Sequence, residues 1–120
     1  MQASLRILVV DDNIDACHTL AMNLKLMGYE TSTAYDGEEA LEAAARFLPD
    51  RVLLDIGLPG ADGFEVVRRM RRMPELAHCR IAAVTGYGED SDRRKGMEAG
   101  FDEYFVKPVA HEAIFRFVCS

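Results

Sequence analysis

Apolar positions along the chain change their period repeatedly, and each change marks the border of an element. Leu5-Arg6-Ile7-Leu8-Val9-Val10 is a nearly continuous β-branched run, the pattern of a strand covered on both faces. It stops at Asp11-Asp12-Asn13. Ile14, Cys17, Leu20, Ala21, Leu24 and Met27 then recur at three- and four-residue steps, which predicts a helix with that face buried and Gly28 at its end. Residues 30–35, Glu-Thr-Ser-Thr-Ala-Tyr, predict a second strand, more polar than the first and so nearer a sheet edge. Asp36 with Glu39 three residues on has capping-box spacing. The alanine-rich helix after it buries Ala40, Leu41, Ala44 and Phe47, and Pro49-Asp50 breaks it.

The same alternation continues to the end. Arg51-Val52-Leu53-Leu54 predicts a third strand leading straight into Asp55, followed by a breaker-rich loop from Ile56 to Gly63. A helix over 63–73 carries Phe64, Val67 and Met70 inward. Residues 80–85 predict a fourth strand, and a polar helix through Asp92 to Ala99 closes at Gly100. Residues 101–106 predict a fifth strand, followed by Lys107-Pro108 and a last helix with Ala110, Ile114, Phe117 and Val118 inward. Strand–helix alternation with short connections implies an α/β fold, a doubly wound five-stranded parallel sheet in the order 2-1-3-4-5.

Length and charge narrow the picture. A chain of 120 residues is one domain, covering 1–120, and it has no apolar run near the ~20 residues that span a bilayer. The first residues lack the signature of a secretory signal, so a cytoplasmic protein with no membrane insertion is expected. A net charge of -6 argues against nonspecific nucleic-acid binding, which depends on cations meeting phosphates. The three cysteines, Cys17, Cys79 and Cys119, form no C-x-x-C pair and read as buried or inert thiols. His18, His78 and His111 have no metal-ligand spacing. The run Arg68-Arg69-x-Arg71-Arg72 reads as the solvated face of the third helix, and Arg93-Arg94-Lys95 as charge balance for the acids before it.

The chemistry gathers at one edge. In an open parallel sheet, ligands bind beyond the carboxyl ends of the strands, where the strand order reverses. Those ends carry Asp11, Asp12 and Asp55, joined by Thr85 from the fourth strand and Lys107 after the fifth. Three carboxylates packed together repel unless they hold protons or a cation. Hard oxygen donors suit Mg²⁺ (or Mn²⁺), whose shell phosphate oxygens often complete. A carboxylate there can serve as nucleophile toward a phosphoryl donor, with Lys107 and Thr85 to meet the transferred oxygens.

Asp11-Asp12, the run Asp55-x-x-x-Pro59-x-x-Asp62-Gly63, Thr85-Gly86 and Lys107-Pro108 together resemble the response-regulator receiver family of two-component signalling, over essentially the whole chain. The resemblance implies a flavodoxin-like (βα)5 fold with Asp55 as phosphoacceptor. It implies Mg²⁺ held by Asp12 directly, by Asp11 through water, by Asp55 and by the carbonyl of Gly57. It also implies phosphoryl contacts from Thr85 and Lys107, a cis Lys107–Pro108 bond, and Tyr104 as the aromatic that turns inward with Thr85. The implied partner is a histidine kinase or histidine phosphotransfer domain, and the implied output surface, open to homodimer formation, is the fourth helix, fifth strand and fifth helix. Asp55-Ile56-Gly57-Leu58-Pro59 and Thr85-Gly86-Tyr87-Gly88 are similar to receivers attached to hybrid sensor histidine kinases or chemotaxis proteins. Gly57 and Tyr87 depart from the side chains that place the hydrolytic water in rapidly self-dephosphorylating members, so a long-lived phosphoryl group is expected, without enzymatic turnover.

The rival readings are weaker. A phosphatase of the haloacid-dehalogenase type wants an Asp where Gly57 stands, no P-loop signature is present, and Asp-Asp-Asn in the first βα turn would repel a flavin phosphate. The principal alternative is a pseudo-receiver that binds partners without phosphorylation. Taken singly, the paired acids could be a helix cap, Thr85 a strand-end hydroxyl, Lys107 a surface lysine and Tyr104 an edge-strand aromatic.

Overall fold

A computed structural model describes residues 5–58, 62–86 and 90–119. The order of elements is β1 (Arg6–Val10), α1 (Ile14–Leu26), β2 (Glu30–Ala34), α2 (Gly37–Phe47), β3 (Arg51–Asp55), α3 (Gly63–Arg71), a 3-10 turn (Pro74–Leu76), β4 (Arg80–Thr85), α4 (Asp90–Ala99), β5 (Glu103–Val106) and α5 (His111–Cys119). The strands form one parallel sheet in the order β2-β1-β3-β4-β5, as the alternation predicted. The polar second strand lies at an edge, where its outer side needs no apolar cover.

Alternation along the strands divides the core into two layers. Leu8, Val10, Val52, Leu54, Ile81, Ala83 and Tyr104 face the layer that α2, α3 and α4 cover with residues such as Leu41, Val67, Met70 and Ala99. Ile7, Val9, Leu53 and Ala82 face the other, closed by Cys17, Ala21 and Leu24 of α1 and Ile114, Phe117 and Val118 of α5. No described helix is long and apolar enough to cross a membrane.

Several local expectations give way to packing. Ile14 and Met27 lie at the two ends of the predicted face of α1, and both are exposed, because the sheet beneath covers only the middle of the helix. Leu20 and Phe47 are half-buried, and Ala110 is exposed just ahead of α5. The third helix stops at Arg71, and the fifth strand begins at Glu103 instead of residue 101. Phe101 is buried all the same, in edge-to-face contact with Phe64. Cys17 and Cys79 are buried, but Cys119 is exposed on the last turn. Burial pushes the Cys17 thiol up to about 11 and the Cys79 thiol up to about 12.

Caps set the loops at the carboxyl edge. Asn13 accepts from the Ala16 amide, and Asp36 from the Glu39 amide, each at a helix start. Asp62 caps α3 by accepting from Phe64, and Gly63 follows because a Cβ there would lie 2.5 Å from the Cα of Ile56. That close approach holds the start of α3 against the residue next to Asp55.

Candidate phosphoacceptor site

Three chain segments converge where the sheet order reverses. β1 ends at Val10 and delivers Asp11 and Asp12 to the rim, while β3 ends on Asp55 itself. Asp11 is anchored through its amide, which donates to the Ala34 carbonyl, and its carboxylate accepts from the Asn13 amide at 3.0 Å. Asp55 is 8% exposed, and its Oδ1 accepts from the Gly57 amide at 2.8 Å. Asp12 is exposed at the rim, and one carboxylate oxygen from each of the three acids lies within 4.8 Å of the others.

Lys107 reaches in from the end of β5. Its Nζ lies 3.0 Å from Asp55 Oδ2 and 3.4 Å from Asp11 Oδ2. Partial burial works against its charge. The hydrogen bond and charge of Asp55, followed by those of Asp11, outweigh that and hold the ammonium above its ordinary pKa. The amide of Lys107 also donates to the Thr85 carbonyl at 2.7 Å, tying the lysine's backbone to the end of β4. The Lys107–Pro108 peptide is cis.

Thr85 is buried at 1% exposure beside this cluster in sequence register, since β4 pairs with β3 up to Asp55–Val84. Tyr104 is buried too, two positions before the Thr85–Val106 pair on the neighbouring strand. Pro59 and Tyr87 lie outside the described residues. Chemically, the arrangement offers hard oxygen donors with one ammonium against three carboxylates, so a divalent cation fits the donor set and relieves its excess negative charge.

Two arginines differ from their sequence reading. Arg71 is not part of a solvated face: it turns inward at the opposite end of the sheet and donates to the carbonyls of Gly100 and Cys79 and to Asp102. Arg93 does more than balance neighbouring acids, because it donates to the Tyr104 carbonyl and lies over the Tyr104 ring. Neither contact has a signal in spacing along the chain, since each joins residues that only the fold brings together.

The sequence profile of the response regulator receiver domain matches residues 7–118. The chain belongs to that family. Response regulator PleD of Caulobacter vibrioides is 41% identical over 117 residues, covering 98% of this chain and 26% of PleD. The receiver domain thus spans about a quarter of that relative's length. Among solved structures, chemotaxis protein CheY4 of Vibrio cholerae superposes with a TM-score of 0.91 at 29% identity, covering 98% of both chains. The receiver domain of sensor histidine kinase PA1611 of Pseudomonas aeruginosa, solved with magnesium coordinated in its active-site cleft, superposes with a TM-score of 0.85. It is 29% identical and is matched over 97% of this chain and 95% of its own. Receiver domains bind Mg²⁺ at an acidic pocket, and an acidic cluster of Asp11, Asp12 and Asp55 is present in this chain.

Proposed function

We propose that residues 1–120 act as one receiver unit that takes a phosphoryl group from a phosphohistidine onto Asp55, within the cytoplasm. The observation that carries this reading is the placement of Lys107 Nζ 3.0 Å from Asp55 Oδ2, beside a cluster of three carboxylates. In the step itself, a carboxylate oxygen of Asp55 forms the new P–O bond. The P–N bond to the donor imidazole breaks, and the ring leaves with that electron pair. The Asp55–Gly57 hydrogen bond fixes one carboxylate oxygen, which leaves Oδ2 as the nucleophile. Lys107 then has only to follow the transferred oxygens as they replace the carboxylate it now contacts. Thr85, with its main chain tied to Lys107, gives a hydroxyl to the same oxygens and transmits their presence to the sheet edge.

Asp12, Asp11, Asp55 and the carbonyl of Gly57 would hold Mg²⁺ or Mn²⁺, which when bound supplies positive charge to the phosphoryl oxygens. Movement of Thr85 toward those oxygens, accompanied by Tyr104, would alter the face made by α4, β5 and α5, where a partner or a second copy docks. The donor is a histidine kinase or histidine phosphotransfer domain, and the domain itself neither turns over substrate nor contacts nucleic acid. Gly57 offers no side chain beside Asp55, and a Cβ there would stand 3.4 Å from Asp55 Oδ1, in reach of a water attacking the phosphoryl group. The phosphoryl group is therefore long-lived.

Intact mass after incubation with Mg²⁺ and a small acyl phosphate tests the proposal. A gain of one phosphoryl group that needs the metal and is absent in Asp55→Asn supports it. No gain in either protein leaves a pseudo-receiver that binds partners without phosphate, and rapid first-order loss of the group removes the claim of long life.

A further inference from the structure

The fourth helix touches Tyr104 from two of its positions. The guanidinium carbon of Arg93 lies 5.8 Å from the centre of the Tyr104 ring, within the range of a cation–π contact. Its terminal nitrogen donates to the Tyr104 carbonyl at 3.2 Å. Three residues on, Gly96 lies on the same side of the helix. A Cβ at Gly96 would stand 3.2 Å from Tyr104 Cδ2 and 3.4 Å from Phe101 Cδ2, tighter than ordinary packing. Glycine is a poor residue for a helix interior, and the space it leaves here is filled by two aromatic rings. Tyr104 is 4% exposed and packs in the same core layer as Phe101.

We propose that Arg93 and Gly96 form a latch that holds the Tyr104 ring inward in the unphosphorylated domain, so that the switch begins biased toward that arrangement. This rests on the reading of Tyr104 as the switch residue. The two Arg93 contacts act differently. The hydrogen bond to the carbonyl follows the β5 backbone and survives a rotation of the ring, so it weights neither arrangement. The contact with the ring face exists only while the ring is inward, and a contact present in one of two states shifts their ratio toward that state. Gly96 acts by leaving out a methyl group that would meet the inward ring and not an outward one. Arg93 and Gly96 are positioning residues, remote from the reacting oxygens.

The test uses the whole chain labelled with 3-fluorotyrosine, which carries four tyrosines, with the Tyr104 fluorine signal assigned through Tyr104→Phe. Arg93→Ala should move that signal toward the position of a solvent-exposed tyrosine, through about a two- to fivefold change in the inward-to-outward ratio. Arg93→Lys, which keeps a cation without the planar fork, should fall between, Gly96→Ala should move the signal in the same direction, and Arg94→Ala should leave it in place. A Tyr104 signal that stays at its original position in both Arg93→Ala and Gly96→Ala, with native far-ultraviolet circular dichroism, overturns the latch. Adding acyl phosphate and Mg²⁺ to the unsubstituted chain separates the two ideas. In Arg93→Ala, where the ring is released outward, the same addition gives the clearer reading: if Asp55 gains phosphate and the Tyr104 signal does not return toward the inward position, the switch reading falls, and the variant series still decides the latch.

Discussion

The two ends of the sheet hold charge in opposite ways. At the amino end, Arg71 reaches from the last turn of α3 and donates at 2.9 Å to the Gly100 carbonyl, at 2.6 Å to that of Cys79 and at 2.6 Å to Asp102. The same Asp102 oxygen accepts from the Ile81 amide, so one cation and one anion bind three chain segments together. Gly100 makes room for this, since a Cβ there would meet Arg71 Cγ at 2.9 Å, and its φ of +127° also suits glycine. At the carboxyl end, among the described residues, the Lys107 ammonium contacts Asp55 and Asp11 of a cluster of three carboxylates. At one end Arg71 and Asp102 satisfy each other and tie neighbouring elements together. The other gathers three carboxylates around Lys107, a donor set that leaves excess negative charge at the rim.

Removing charge should therefore have opposite signs at the two ends. The largest effect is expected for Arg71→Ala, which strands Asp102 and two carbonyls and should lower stability by about 3 kcal/mol, read by urea unfolding. Asp55→Asn, measured in the same way without metal, should raise stability by about 1 kcal/mol, because it lessens repulsion among the acids. A loss of stability in Asp55→Asn would mean that the rim is as well satisfied as the opposite edge, and the comparison would fail.

Smaller effects sharpen the contrast. Leu48 ends α2 at φ 53°, a left-handed conformation in which leucine is strained, and its amide bonds back to Ala44. Leu48→Gly should add about 0.5–1 kcal/mol at a site with no charge and outside the acidic cluster, a neutral reference for the other variants. Lys107 supplies the smallest and most local signal. Its pKa is raised in the folded state, so its contribution to stability is complete below the ordinary value of 10.5 and is lost as pH rises through the raised one. In metal-free buffer, unfolding free energy should decline above that pH, and Lys107→Met should remove this part of the decline.

Much of this could be read along the chain. The run from Leu5 to Val10, the steps from Cys17 to Leu24 and the breakers after Asp55 announce strand, helix and loop, because local period follows from which face is covered. The four motif segments in their order placed Asp11, Asp12, Asp55, Thr85 and Lys107 at one edge, since parallel strands joined by helices put all their carboxyl ends on the same side. Ile14 and Met27 show the limit of the method. Periodicity reports a helix face, while the reach of the sheet beneath decides how much of that face is covered.

By itself, then, the sequence determined the alternating fold, the acidic rim and the family to which the chain belongs. The tertiary structure alone decided the partners of Arg71, Arg93 and Gly96. Those contacts join the end of α3 to the turn that follows α4, and α4 to an aromatic on β5, across stretches of the chain that leave no mark in local spacing. Long, flexible cations have many surface positions open to them in an isolated helix, and only the geometry of neighbouring elements selects the one they occupy.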